Sequence, residues 1–416
     1  MEIRRNRERS MKKTGFTIAF MLVLLTACSR WDDAITVRTA DLNYFKDNYR
    51  DCRVTFQANA QKVAARYDFA VRGSIAVPGG ADKDLAVDYV YVPATKSKEK
   101  LLIITAGLHG IEGYAGSAVL DLFFKEMFPA MNCDTTGVIV FHAVNPYGMK
   151  HFWRATEDNI DLNRNCMNDP KLYGITNRGY ARLRGFLEPE GKASAGIIAG
   201  AAVTLKMIWY NLTMGKKDFM RAALSGQHEY PKGIFYGGKK PAPQIAEMTR
   251  ILSSVMPKYR FAANIDLHTG YGRRGYLHLF LTPLDDRKNR TMESLFPGRP
   301  IDWSSDKDFY QTYGDLNMFL YNLVPGLPVL PLTFEYGTLD SQTIPGGIRS
   351  LKTVILGTQG MMNGYASDDD RRALEAMTME MYYPQSPAWR SEVIRQSREV
   401  FTAFLDRWDR LQRKDF

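Results

Sequence analysis

The sequence predicts an α/β fold, a mostly parallel or mixed sheet flanked by helices, and three observations carry that expectation. First, four separated apolar runs read as buried strands: residues 101–107 (LLIITAG), 138–144 (VIVFHAV), 261–267 (FAANIDL) and 329–334 (VLPLTF). Second, the run at 101–107 is followed by Val119, Leu120, Phe123, Phe124 and Phe128 at helical spacing over 114–128, the strand, turn and helix order of a parallel unit. Third, every run ends in chemically capable residues. They are His109 and Glu112 after the first, Arg154, Asp161, Asn163 and Arg164 after the second, His268 after the third and Glu335 after the fourth. Sites in open α/β sheets gather outside the carboxyl ends of the strands, so one pocket would account for all four.

The remaining elements follow in order. Residues 69–78 (FAVRGSIAVP) and 85–92 (LAVDYVYV) read as short strands at one edge of the sheet, leading into the 101–107 strand. Residues 193–214 are apolar enough to suggest a membrane span, but Lys206 and Asn211 interrupt them, and a packed helix is expected. Residues 231–238 form a glycine-rich turn whose spacing is not that of a phosphate loop. Amphipathic helices are expected over 241–258 and 390–411. No composition break after residue 50 calls for a second domain, so 51–416 is read as one catalytic domain.

Composition is that of a globular chain: 416 residues, 45% hydrophobic and 24% charged. The net charge is +10, and removing residues 1–27, with six basic and two acidic side chains, brings it to +6. The basic residues are otherwise scattered, which argues against a nucleic-acid partner. The basic start precedes an apolar run over 16–27, about twelve residues and short of the roughly twenty that span a bilayer. Residues 1–27 therefore read as a secretory leader. Leu25, Thr26, Ala27 and Cys28 are similar to the bacterial lipobox, which implies lipidation at Cys28 and an envelope location, membrane-anchored. Residues 28–50 would then be a tether. Cys52, Cys133 and Cys166 would remain in an oxidising compartment, where three thiols allow at most one disulfide.

His109, Glu112 and His268 supply two imidazoles and a carboxylate, the donor types of a catalytic zinc site that keeps one position open. Glycines 107, 110 and 113 permit the tight backbone path around the first two. Asp266 precedes His268 by two residues and so shares its face of the strand, where it either orients a ligand or lines the pocket. His142, His151, His228 and His278 lack metal-like spacing and are expected to be structural.

At this point the chain resembles the zinc carboxypeptidase (M14-type) superfamily and, within it, the bacterial DUF2817 group. The resemblance rests on HGIEG (109–113), NPYG (145–148), WRAT (153–156), DLNRN (161–165), GIFYGG (233–238), DLHTG (266–270) and TFEYGT (333–338). It implies an eight-stranded mixed sheet, one zinc ion per chain, and hydrolysis of an amide bond near a substrate carboxylate. Under it, Glu335 is the general base and Arg154 stabilises the oxyanion. Asn163 and Arg164 grip a terminal carboxylate, a task suited to the planar guanidinium fork. Asp161 orients His109. Tyr313 is the candidate substrate-binding tyrosine, with Tyr310 and Tyr321 left as alternatives.

The expected activity is a carboxypeptidase-type zinc hydrolase acting on a peptide or an acyl amino acid with a free carboxylate. The alternatives are an aspartoacylase-like deacylase and a non-catalytic envelope lipoprotein that binds cell-wall peptide. A serine hydrolase is disfavoured because no G-x-S-x-G elbow occurs.

Overall fold

The structure, a computed structural model, describes residues 31–303 and 312–416. The expected leader over 1–27, Cys28 and Tyr310 lie outside the described residues. Eight strands, β1 Val71–Ala76, β2 Ala86–Val92, β3 Lys100–Ala106, β4 Thr136–His142, β5 Phe261–Gly270, β6 Leu277–Leu281, β7 Asp302–Trp303 and β8 Val329–Gly337, form one sheet. Its order is β1-β2-β4-β3-β5-β8-β6-β7. The central four, β4-β3-β5-β8, are parallel, whereas β1, β2 and β6 pair antiparallel at the margins. The sheet is therefore mixed. β2 pairs with β4 and not with the β3 strand that follows it in the chain.

The longer helices are α1 Tyr49–Arg66, α2 Gly113–Leu122, α3 Arg178–Leu187, α4 Ile197–Met214, α5 Lys216–Leu224, α6 Pro243–Val255, α7 Asp286–Leu295, α8 Leu316–Leu323, α9 Ile344–Asn363, α10 Asp368–Tyr382 and α11 Pro387–Arg410. β3 is an unbroken apolar run because both of its faces are covered. Leu102 and Ile104 pack with residues of α1, α2 and α11, and Leu101 and Ile103 with residues of α6 and α8. Each such fully buried side chain contributes roughly 1.5–3 kcal/mol relative to exposure. A third apolar cluster ties α3, α5 and one side of α4 to α9 and α10, forming a helical lobe beside the sheet.

The order of strands places the site. From β3 the chain crosses through α2 to β4 on one side, while β5 lies on the other. The turns leaving β3 and β5 therefore diverge at a topological switch point, the crevice where open α/β sheets carry ligands.

Two sequence expectations need correction. Residues 28–50 are not a tether where they are described. The Trp31 ring lies over Gly275, Asp32 pairs with the buried Arg274 at 3.1 Å, and the buried Asp41 accepts from Ser391 Oγ at 3.1 Å. A polar stretch can be rich in specific contacts, and composition does not reveal them. Helix α4 is only half packed: Val203 and Met207 are buried, but Ile197, Ile198, Leu205, Trp209 and Leu212 are exposed. Cys52, Cys133 and Cys166 are all free, separately buried thiols, within the expected limit of one disulfide.

Candidate metal centre

Beyond β3 the backbone turns at Gly107, whose φ of +73° suits glycine, into His109 and a single 3₁₀ turn, Gly110–Glu112, that runs directly into α2. A second segment clamps this turn. Gly110 and Ile111 donate to the carbonyls of Arg154 and Trp153 at 3.0 and 2.9 Å. Gly110 packs so tightly that an added Cβ would stand 2.1 Å from the Gly148 carbonyl carbon. Asn145 organises that second segment: its Oδ1 accepts from Gly148 N at 3.0 Å and its Nδ2 donates to Arg154 O at 3.0 Å. The Asn145–Gly148 stretch is thus a cap that positions the 109–112 turn.

On β5, Asp266 and His268 share a face, as their spacing of two requires. Asp266 Oδ1 accepts from Thr105 Oγ1 at 2.6 Å, and Asp266 Oδ2 meets His268 Nε2 at 2.5 Å. The Nδ1 atom of His268 is turned the opposite way, to 2.9 Å from Glu112 Oε2 and 3.2 Å from His109 Nδ1. His109 Nδ1 in turn lies 2.8 Å from Glu112 Oε1. All three residues are buried. Glu335 stands next to His268 across the β5–β8 ladder and accepts from Tyr271 N at 2.9 Å.

The geometry fits a cation. Zinc–nitrogen bonds of about 2.0–2.1 Å at tetrahedral angles put ligand nitrogens roughly 3.3 Å apart. The two Nδ1 atoms are 3.2 Å apart with a carboxylate beside both. Asp161 Oδ1 lies 3.2 Å from His109 Nε2, and Asp266 plays the same part at His268. Each imidazole is therefore bracketed, with a carboxylate behind and the candidate ligand position in front. Glu112, Asp161 and Asp266 contact the two histidines, and Arg154 pairs with the first two of these carboxylates.

The titration shifts report the same crowding. Burial pushes the Glu335 carboxyl up to about 8, and the nearby Glu112 charge adds to it. Burial would also raise Glu112 and Asp161, but His109 and His268 hold the first low, and Arg154 and His109 hold the second well below the usual carboxylate range. Burial would lower His268, yet Asp266 and Glu112 outweigh it and raise its pKa well above the ordinary imidazole value.

Arg154 reaches this cluster from the clamping segment. Its Nη1 donates to Glu112 Oε1 at 3.1 Å, its Nη2 to Asp161 Oδ2 at 3.1 Å and to His109 Nε2 at 2.6 Å. Arg164 does not face the cluster in the same way. Its two Nη atoms donate to the carbonyls of Asn163 and Leu224 at 2.8 and 2.9 Å, and its side chain is buried against Gly226. Asn163 Oδ1 is likewise engaged, accepting from Leu316 N at 3.0 Å. Tyr313 is exposed, and its N–H donates to Ser225 O, next to Gly226.

Two residues that sequence reasoning gave no role stand here. Phe235 lies between the guanidiniums, its ring centroid 5.5 Å from Arg154 Cζ and 5.3 Å from Arg164 Cζ, with an unusual φ of +54°. Tyr382, the last residue of α10, presents its ring 5.8 Å from Arg154 Cζ. The GIFYGG stretch signalled the first, whereas nothing in the sequence marks the second. His278 falls beside Glu335 in the β6–β8 register, but its ring is committed to Arg273 N and Asp302.

Among solved structures, the chain is similar to bovine thrombin-activatable fibrinolysis inhibitor in complex with tick carboxypeptidase inhibitor. The identity is 13%, over 76% of this chain and 97% of that one, with a TM-score of 0.42. A metallo-carboxypeptidase from Pseudomonas aeruginosa aligns at 12% identity over 73% and 67% of the two chains, with a TM-score of 0.35. An aspartoacylase family protein from Mesorhizobium loti aligns at 15% identity over 72% and 68%, also at 0.35. No curated protein matches the sequence. The family described as "Protein of unknown function (DUF2817)" matches residues 45–396, nearly the whole described fold, and the chain belongs to that family.

Proposed function

We propose that the protein is a zinc-dependent hydrolase of carboxypeptidase type, cleaving an amide bond in a peptide or acyl amino acid that carries a free carboxylate. One observation carries the reading: two Nδ1 atoms and a bidentate-capable carboxylate converge from different strands with Glu335 and Arg154 beside them. His109, Glu112 and His268 would hold the ion. Zinc there would polarise the scissile carbonyl and activate water at neutral pH.

The residues divide the remaining work. Glu335, beside His268 across the β5–β8 ladder, would take a proton from the attacking water and return it to the leaving amine. Arg154 supplies a fixed positive charge for the oxyanion, worth on the order of 3 kcal/mol in such sites. Its present contact with His109 Nε2 makes that nitrogen the acceptor and leaves the proton on Nδ1. Were His109 to hold the ion through Nδ1, its Nε2–H would be directed to Asp161 and Arg154 Nη2 would be left for substrate. The carboxylate would be gripped by Asn163 and Arg164, for which Arg164 must exchange a backbone carbonyl for the ligand. Tyr313 remains the proposed substrate tyrosine at the rim.

We further propose that residues 1–27 direct export and that lipid on Cys28 holds the protein at the bacterial envelope. Labelled fatty acid incorporated by the wild type and lost in Cys28→Ser tests that anchor. The metal reading is tested by elemental mass spectrometry of the purified protein. About one zinc per chain, lost in His268→Ala, is the expected result. Absence of bound metal after zinc reconstitution overturns the hydrolase reading and leaves a peptide-binding lipoprotein in its place.

A further inference from the structure

Helix α4 carries more apolar surface than its fold contacts use. Among the described residues thirteen large hydrophobic side chains are exposed, and six of them lie on this one helix: Ile197, Ile198, Leu205, Ile208, Trp209 and Leu212, at 45–88% exposure. They recur at helical spacing and form a single stripe along 18 residues, about 27 Å of helix. The opposite side is anchored, since Val203 and Met207 are buried in the cluster that includes Phe219 of α5 and Ile355 of α9. The helix therefore has two apolar faces, only one of which the fold covers. Isolated exposed leucines need no explanation, but a contiguous apolar stripe marks an interaction surface.

Charge indicates what covers it. Between Gly191 and Lys217 there is no aspartate or glutamate, while Lys192, Lys206, Lys216 and Lys217 are all exposed. Lys206 sits at the margin between the faces, next to buried Met207 and exposed Leu205, where its aliphatic stem can lie along apolar surface with the ammonium in water. An apolar stripe with a tryptophan, rimmed by lysines, suits the boundary of a bilayer with anionic headgroups.

We propose that α4 lies flat in the headgroup boundary of an anionic lipid bilayer, as a second membrane contact independent of any N-terminal anchor. The helix does not span: crossing the bilayer would strip Val203 and Met207 from α5 and α9. Partial immersion of roughly 5–10 Å covers the stripe and leaves that packing intact. The proposal stands apart from the chemistry of the metal centre.

The test uses the full-length chain carrying Leu205→Cys, labelled with an environment-sensitive dye and placed in phosphatidylcholine vesicles with or without phosphatidylglycerol. The described native thiols are buried, and background labelling is read from the parent chain. With phosphatidylglycerol present, we expect a blue-shifted emission that falls roughly twofold with lipids brominated near the headgroup. A label at Lys96→Cys, exposed at the start of the β3 side of the sheet, should show neither effect. Lys206→Glu, Lys216→Glu and Lys217→Glu together should abolish both. A water-exposed label at 205 in anionic vesicles overturns the proposal. So does shielding that depends on protein concentration and not on bromine, which would identify a second copy as the occupant. Equal quenching by lipids brominated at the bilayer centre would identify a spanning helix, and quenching retained in the lysine variant would remove anionic headgroups as the partner.

Discussion

At the level of single residues, burial sets the chemistry. Glu335→Gln keeps the size of the side chain but removes the proton acceptor, so zinc content should stay at the wild-type level while turnover falls by roughly 10²–10⁴. Turnover that survives would remove Glu335 as the base. Arg164→Ala should cost about 2 kcal/mol of stability, because the Asn163 and Leu224 carbonyls lose their donors. A raised KM with unchanged thermal stability would instead show that Arg164 serves substrate alone. His142 offers a pH test away from the candidate metal centre. It is fully buried, stacked on Phe56 and bonded to Ser117 Oγ, and burial lowers its pKa to about 4. An unfolded chain binds a proton there near pH 6.5, so this residue's stabilisation is complete above that pH and is lost as pH falls toward 4. Between pH 7.5 and 5 the loss should be roughly 2 kcal/mol, and urea titrations of His142→Gln should show a correspondingly flatter dependence. Identical pH slopes in the two proteins would assign acid sensitivity elsewhere.

At the level of elements, backbone contacts hold the site together, and the motifs read differently once their partners are known. HGIEG sets a candidate ligand pair, His109 and Glu112, at a 3₁₀ turn, and NPYG is the cap that presses on it. Gly110 is fixed by that pressure, since a Cβ there would meet the Gly148 carbonyl carbon and Met149 N, backbone atoms with no freedom to swing aside. Gly110→Ala should therefore cost roughly 3 kcal/mol and lower zinc stoichiometry together with thermal stability. Normal metal content in that variant would show that the 145–154 segment can retreat without disturbing His109. The period-two rule placed Asp266 with His268 from sequence alone, and the structure keeps them on one face. The same kind of reasoning gave α4 its helix but assigned the wrong surroundings. Apolar composition is equally compatible with a protein core and with a lipid face, and only the positions of α5 and α9 distinguish the two.

At the level of the molecule, the segment before α1 belongs to the body. Arg274 is buried between Asp32 at 3.1 Å and Glu380 at 2.7 Å, joining that segment to α10, whose last residue borders Arg154. A chain begun at Tyr49 should melt lower than one begun at Trp31, by about 3 kcal/mol of lost stability if the broken buried ion pair dominates. Equal melting would restore the view of this segment as a passive tether. The amino-acid pattern alone was enough for the α/β class, the four buried strands and the placement of His109, Glu112, His268 and Glu335 at or just beyond their ends, because burial on both faces demands apolar runs and chemistry can begin only where they stop. Packing of distant segments set the rest: β2 lies against β4, Arg164 turns to backbone carbonyls, Phe235 and Tyr382 border Arg154, and one side of α4 is left uncovered. Those outcomes depend on which distant surfaces meet, and a residue's partners across the fold leave no local pattern in the chain.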